Sequence, residues 1–457
     1  MYDIVVIGGG TGGYAAALYA HNFGLKTALI EKDTVGGTCL VRGCIPAKSW
    51  LQAADVFQTV KKSAEFGVVG AEEISFDWPT ALVRKNKIVD GLVKGLGGLL
   101  KVKGVEVHSG FGRIEGPGRV SVEGADGRQV LETRNIVIAT GSVPRALPGF
   151  DFDGVKVVSS DHALDWESQP GRVGIIGAGA IGCEFASMLA DLGSEVHVFE
   201  LMDQIVPGAD ADAAKELQKL LQRHGVKFNT GAAVEPPMVT ESGVTLSWGD
   251  GESVEVDTVL VAVGRAPVTD SVGLENVGLE ADRGFLVVDE AQRTGAEGIY
   301  AVGDIVANAP QLAHASFAEA ITAVTQIATG ASRPVEYKAI PLVVYTHPEM
   351  AEVGLSEARA VAEGLDVEVH SHSFLGVGRA QIIGQQQGKV KIVVEKDGPI
   401  VGASVVGPQA GELIHELMYI VGWEALPEEA AAFIHAHPTL SEAVGETLLG
   451  ATGKGLH

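Results

Sequence analysis

Twice in this chain a short β-branched run ends in a glycine cluster, passes through a stretch of small apolar residues, and returns as a second apolar run that stops at a glutamate. In the first copy Ile4-Val5-Val6-Ile7 leads into Gly8-Gly9-Gly10-Thr11-Gly12-Gly13, and Thr27 to Ile30 ends at Glu31. In the second, Val173-Gly174-Ile175-Ile176 leads into Gly177-Ala178-Gly179-Ala180-Ile181-Gly182, and Val196 to Phe199 ends at Glu200. The glycine-to-glutamate spacing is 23 residues both times. Runs of this kind suit parallel strands buried on both faces, and the glycines let strand turn sharply into helix. The pattern is a dinucleotide-binding fingerprint. Its first glycine (Gly8, Gly177) makes the turn, its second (Gly10, Gly179) lets a pyrophosphate approach the backbone, and its third (Gly13, Gly182) allows close packing of helix on strand. Free amides at the helix N-terminus attract phosphate, and Glu31 or Glu200 can accept from a ribose hydroxyl. One match is a weak signal; two in register predict a duplicated unit.

The two copies also close alike, since Ile136-Val137-Ile138-Ala139-Thr140-Gly141-Ser142-Val143-Pro144 parallels Val259-Leu260-Val261-Ala262-Val263-Gly264-Arg265-Ala266-Pro267. From Gly8 to Gly141 is 133 residues and from Gly177 to Gly264 is 87, so the first copy carries 46 more. That surplus holds Gly36-Gly37-Thr38-Cys39-Leu40-Val41-Arg42-Gly43-Cys44-Ile45-Pro46-Ala47-Lys48, with two of the three cysteines. At ~100° per helical residue a five-residue step does not bring side chains face to face, so joining Cys39 to Cys44 calls for a distorted turn, which Gly43 eases. Three cysteines do not make a secreted disulfide framework. On residue type alone the pair is redox-active, inert and buried, or metal-ligating. No second Cys/His cluster lies nearby in sequence, so no metal site is assigned. Cys183, alone in the second glycine-opened helix, reads as a small core residue.

Acidic residues outnumber basic ones 58 to 34, a net charge of −24 that argues against a nucleic-acid or anionic-membrane partner. Any phosphate must therefore be held by local geometry. Ile4 to Leu25 carries no Asp, Glu, Lys or Arg and passes for a membrane span on length alone, yet Gly8, Gly9, Gly10, Gly12 and Gly13 interrupt it and no positive segment precedes it. A cytoplasmic protein with no membrane segment is expected. At ~150 residues per domain, about three domains are expected. The proposed boundaries are 1–147 for the first dinucleotide-binding unit with the cysteines, 148–267 for the second, and 268–334 for a central segment completing the first. This central segment contains Ile299-Tyr300-Ala301-Val302-Gly303-Asp304, and Arg333-Pro334 marks its end. Residues 335–457 read as an α+β domain, with strands at Val390 to Val394 and Ile400 to Val406, a helix at Glu412 to Val421, and a histidine-rich turn at Ile434 to Glu442. The fold class is α/β, with two Rossmann-like domains and a C-terminal α+β domain.

These residues together resemble the flavin-dependent pyridine nucleotide–disulfide oxidoreductases, and within them the branch that oxidises dihydrolipoamide. The resemblance spans nearly the whole chain. It rests on both fingerprints, Gly-Gly-Thr-Cys-x4-Cys-Ile-Pro-x-Lys at 36–48, Ala-Thr-Gly at 139–141, Ala-Val-Gly-Asp at 301–304 and His-Pro-Thr-x-x-Glu at 437–442. It implies that Gly8, Gly10, Gly13 and Glu31 bind FAD with Lys48, Gly112, Thr140, Gly141, Asp304 and Ala313, Asp304 lying near the ribityl chain. It implies equally that Gly177, Gly179, Gly182 and Glu200 bind NAD, with Glu184, Val234 and Gly264 around that site. Cys39 would be the outer thiol that exchanges with substrate and Cys44 the inner one against the flavin, while Lys48 and Glu184 pair near the flavin's reactive edge. His437 would be the base, oriented by Glu442 and supplied by the partner subunit. The last domain would then be a dimerisation domain and the protein a homodimer. A lipoyl-bearing acyltransferase of a 2-oxoacid dehydrogenase complex is the implied partner.

The residue types suit that chemistry. A flavin mediates between a hydride carrier and a dithiol, thiolates are stabilised at a helix start, and histidine titrates in the range a thiol base needs. Glu200 repels a 2′-phosphate and no arginine follows before Arg223, which favours NAD over NADP. Two other readings remain: a reductase of another small disulfide, glutathione reductase-like, and a chiefly architectural flavoprotein subunit. The chain departs from the family pattern at Val41-Arg42, where Asn-Val is usual, and at Thr11, where proline is common. Arg42 places a fixed charge two residues from Cys44 and is expected to lower a thiol pKa or alter substrate docking. His435, His347 and His314 read as structural or cofactor-adjacent, and a cis bond is expected at His437-Pro438.

Overall fold

A strand buried on both faces has no side left for polar groups, and the first β-branched run shows the consequence. In the computed structural model, which describes every residue except Glu72, Asp126 and His457, Ile4 and Val6 pack against Ala16, Ala17 and Ala20 of the helix Thr11–Ala20. Val5 and Ile7 point the other way, into a cluster with Ile114, Val120 and Ile136. Each such side chain contributes about 1.5–3 kcal/mol of burial. By its contacts the chain divides into two units: Met1–Ser49, Thr80–Arg145 and Arg265–Tyr337 form one, and Trp50–Pro79, Ala146–Gly264 and Lys338–His457 the other.

In the first unit, parallel strands run in the order Glu106–Ser109, Thr27–Glu31, Tyr2–Ile7 and Gly127–Ile138, with Ile299–Ala301 beside the last. Gly127–Ile138 also pairs antiparallel with Arg119–Gly124, which pairs in turn with Phe111–Gly116. Ile7 is level with Ile30 and Ile138, and Ile138 with Ala301. Three strands therefore end at one edge, and Gly8, Thr140 and Gly303 follow them there, at the carboxyl edge where open α/β sheets bind ligands. The two closing segments recognised in the sequence pair with each other: Ser142–Pro144 and Arg265–Pro267 form an antiparallel ribbon with Val143 opposite Ala266.

The second unit repeats the parallel design with strands Lys227–Thr230, Glu195–Glu200, Arg172–Ile176, Thr258–Val261 and Val157–Val158. Its helix Ala180–Asp191 opens at the second glycine cluster. A three-stranded antiparallel sheet of Met238–Val239, Val244–Trp248 and Glu252–Val256 accompanies it. The same unit contains a five-stranded antiparallel sheet, ordered Leu342–Val344, Glu349–Gly354, Ile400–Gly407, Lys389–Glu395 and Val367–Ser373. The helices Ala410–Gly422 and Glu442–Ala451 share its core through Ile414, Leu417 and Leu448, packed with Ile392 and Val405. The α/β class with a C-terminal α+β portion is as expected. The uncharged run Ile4 to Leu25 is strand, turn and helix, and among the described residues no helix is long and apolar enough to cross a membrane.

Candidate active site

Each glycine cluster brings a helix N-terminus hard against the strand that precedes it. Gly8 turns at φ 102° and Gly177 at φ 98°. A Cβ on Gly13 would lie 1.7 Å from the Gly8 carbonyl oxygen, and one on Gly182 only 1.9 Å from that of Gly177. In front of the second helix the space is open, with nothing within 4 Å of a Cβ built on Gly179; at Gly10 the nearest atom is 4.0 Å away. Open space before unpaired helix amides is the donor set a pyrophosphate requires. The two glutamates are held identically. Glu31 accepts from the backbone N–H of Gly9 (2.7 Å) and of Asp33 (2.8 Å), and Glu200 from Ala178 (2.8 Å) and Met202 (2.9 Å). One backbone bond on each oxygen fixes the carboxylate and leaves lone pairs for ribose hydroxyls.

The cysteine segment is a helix broken in the middle. Gly37–Arg42 and Cys44–Lys61 are both helical, and Gly43 between them takes φ −150°, ψ −112°. A Cβ there would sit 2.8 Å from the Thr38 carbonyl oxygen. The interruption brings the thiols together as the five-residue spacing demands, and Cys39 and Cys44 hydrogen-bond side chain to side chain. That bond, then burial, pushes the Cys39 thiol well above the ordinary thiol range, while Lys48 pulls it down and the Asp304 carboxylate adds to the rise. The cation acting on Cys39 is Lys48; Arg42 instead pairs with Asp33. Tyr14, unremarked in the sequence reading, stands close enough that burial and the two sulfurs push its hydroxyl up to about 12.

A polar chain runs from this segment to Asp304. Arg265 donates from Nη2 to Thr38 Oγ1 at 3.2 Å and from Nε to Ser142 Oγ at 2.7 Å, and Ser142 Oγ donates to Asp304 Oδ2 at 2.5 Å. Behind Asp304, the Gly303 N–H donates to Glu319 Oε2 at 2.5 Å and the Tyr337 hydroxyl to Glu319 Oε1 at 2.9 Å. Glu319 has no solvent exposure, and burial raises its carboxyl to about 7 against those two bonds. Ala313 is the first residue of the helix Ala313–Thr329 that carries Glu319. Gly112 packs against Ile7 and Ile30, where a Cβ would come within 2.9 Å of Ile7. Thr140 donates its hydroxyl to the Val268 carbonyl, and Gly141 follows at φ 69°.

The second unit holds the other predicted residues. Gly264 marks its end at φ 101°, and Val234 forms an isolated bridge to Trp248. Glu184, on the helix Ala180–Asp191, accepts from the Tyr345 N–H at 3.1 Å. Lys48 belongs to the first unit and Glu184 to the second. Cys183 is fully buried, and burial raises its thiol pKa. His437 Nδ1 lies 2.8 Å from Glu442 Oε1, whose other oxygen accepts the Thr439 N–H at 2.9 Å. Burial raises the Glu442 pKa, but the Thr439 N–H and His437 outweigh it and hold the carboxylate low. A carboxylate on Nδ1 leaves Nε2 with a free lone pair, and the ring is 77% exposed. Sequence reading missed the neighbouring pair, in which His435 Nε2 stands 2.6 Å from Glu416 Oε1. The His437-Pro438 bond is cis, as expected, and so is His347-Pro348.

Comparison with known proteins decides the family. The profile described as "Pyridine nucleotide-disulphide oxidoreductase" matches residues 2–320, and its dimerisation domain matches residues 340–448. The chain belongs to the pyridine nucleotide–disulphide oxidoreductases. It is accordingly an oxidoreductase of the kind that works with FAD and a nicotinamide nucleotide, and it carries this family's dimerisation domain. It is 40% identical to dihydrolipoyl dehydrogenase of Bacillus subtilis over all of this chain and 99% of that one. It is 39% identical to the dihydrolipoyl dehydrogenase of Haloferax volcanii, over 100% of this chain and 97% of the relative. Among solved structures, LpdA of Mycobacterium tuberculosis superposes with a TM-score of 0.91 at 29% identity, covering 99% and 100% of the two chains. RclA of Escherichia coli, a flavoprotein disulfide reductase, superposes at 0.88 with 28% identity and 98% of each chain.

Proposed function

We propose that this oxidoreductase converts dihydrolipoamide to lipoamide with NAD as electron acceptor, through Cys39, Cys44 and a bound FAD. The observation that carries the reading is the broken helix: it sets two thiols side by side, under the influence of Lys48 and Asp304, in a unit that also holds a dinucleotide cradle. Full-length likeness to dihydrolipoyl dehydrogenases supports the substrate. FAD, when bound, supplies a carrier that takes electrons from a dithiol and passes them to a nicotinamide. Gly8, Gly10, Gly13 and Glu31 would hold its adenosine and pyrophosphate, with Gly112, Thr140, Gly141, Asp304, Ala313 and Lys48 along the remainder. Gly177, Gly179, Gly182 and Glu200 would hold NAD, with Glu184, Val234 and Gly264 beside it. The Glu200 carboxylate favours a free 2′-hydroxyl over a 2′-phosphate.

The chain's own groups then have defined tasks. His437, oriented by Glu442 and donated across the dimer, removes a proton from a substrate thiol. In the oxidised enzyme, where Cys39 and Cys44 are joined as a disulfide, the substrate thiolate attacks Cys39, that S–S bond opens, and Cys44 leaves as a thiolate. The second substrate sulfur then displaces Cys39, so one S–S bond is formed for the one broken. We place the four functional divisions at 1–147, 148–267, 268–334 and 335–457. We read the natural substrate as a lipoyl group on an acyltransferase of a cytoplasmic 2-oxoacid dehydrogenase complex, whose basic modules the −24 charge would attract. Parallel assays test the reading: NAD and NADP with dihydrolipoamide, NADH and NADPH with oxidised glutathione. Turnover concentrated in the NAD–dihydrolipoamide arm is expected; faster turnover with NADPH and glutathione would overturn it.

A further inference from the structure

Away from the dithiol, the second unit brings three potential metal ligands to one point. Asp191 closes the helix Ala180–Asp191, His224 caps the C-terminus of Ala211–Arg223, and His347 lies in the turn before the strand Glu349–Gly354. One ligand atom from each falls within 4.8 Å of the other two. His224 Nδ1 is 2.9 Å from Asp191 Oδ1, and His347 Nδ1 is 3.5 Å from Asp191 Oδ2. Donors on a tetrahedral zinc ion, each ~2.0–2.1 Å from the metal, stand roughly 3.3 Å apart; the two carboxylate–imidazole separations lie within tenths of an ångström of that, and the imidazoles, at most 4.8 Å apart, would close on the ion.

We propose that Asp191, His224 and His347 form a binding site for a divalent zinc-class ion, with a fourth position left to water. Four features favour a cation there. Two helix C-termini meet at the site, and each carries the negative end of its dipole. The Asp191 carboxylate is only 4% exposed and faces His224 Nδ1 at 2.9 Å. His347 Nδ1 is enclosed and makes no hydrogen bond of accepted geometry. The turn that carries His347 is anchored, since its backbone N–H donates to Ser187 Oγ at 2.9 Å, one turn before Asp191 on the same helix. The imidazoles, 18% and 24% exposed, provide the way in. Two nitrogens and one carboxylate select zinc-class ions over magnesium or calcium, which prefer all-oxygen shells.

The test uses oxidised holoenzyme, in which Cys39 and Cys44 are joined and cannot compete as thiolates. After chelator treatment, equilibrium dialysis against micromolar Zn²⁺ should leave one ion per chain, and Mg²⁺ none. His224→Ala and His347→Ala should each lose that ion while keeping their flavin absorbance and their dihydrolipoamide turnover in zinc-free buffer. Undiminished stoichiometry in both variants, or no ion bound by the parent, overturns the proposal. Zinc-edge X-ray absorption of the parent decides the matter even if a variant fails to fold: a shell of nitrogen and oxygen with imidazole scattering is expected, and sulfur in that shell refutes it.

Discussion

At the scale of single residues, Glu319 has a consequence that can be measured. Its carboxyl moves from 4.5 to about 7 because burial disfavours the anion. Between those values the folded chain holds a proton that the unfolded chain has released. Stability contributed by this group therefore falls as pH rises through that window, by up to about 1.4 kcal/mol per pH unit. Glu319→Gln keeps an acceptor for Gly303 and removes the titration. Urea midpoints at pH 5, 6, 7 and 8 should fall less steeply for the variant than for the parent, and parallel curves would refute the assignment. His437→Gln is expected to lower dihydrolipoamide turnover by about 10²–10⁴-fold. NADH oxidation by ferricyanide, which needs no thiol base, should be largely retained; equal loss of both would remove His437 from its role. The cysteines and His437 were readable because their motifs are short and local. The Arg265 chain was not: it joins residues 123 and 227 positions apart, and only the pairing of the two closing ribbons brings them together. Asp191, His224 and His347 are scattered in the same way, and the charge of Arg42 could not be assigned to Asp33 from sequence.

Elements were more legible than contacts. β-branched runs gave the buried parallel strands, because burial on both faces leaves a continuous apolar signature. The distorted turn expected at Gly43 is a full break between two helices. In the C-terminal portion the strands Lys389–Glu395 and Ile400–Gly407 were recognised, but Leu342–Val344, Glu349–Gly354 and Val367–Ser373 were not, their short or half-exposed patterns carrying a weaker signal. The duplicated helix starts offer a paired experiment. A methyl group at Gly13 or Gly182 collides with the carbonyl oxygen of the preceding turn, so each substitution pushes one helix off its strand. Gly13→Ala should purify with reduced flavin content, whereas Gly182→Ala should retain flavin and show a raised KM for NAD. Absorbance spectra and steady-state kinetics check this, and the opposite pattern would mean that the two cradles are assigned the wrong way round.

For the whole molecule, the proposed role of His437 across the dimer would make activity a property of the dimer. Cys44→Ser and His437→Gln homodimers should both be inactive. After subunit exchange, a statistical mixture should regain about a quarter of parental turnover, since half the dimers are mixed and each has one intact site. No recovery after verified exchange would place base and sulfurs in the same subunit. The order of segments along the chain has its own bearing on biogenesis. Both units are assembled from three non-contiguous stretches, and the earlier one is complete only when Tyr337 has been made. No terminal truncation liberates either of them whole. A ribosome that stalls before that point releases a nascent polypeptide in which neither unit is complete, leaving it exposed to chaperones and proteases.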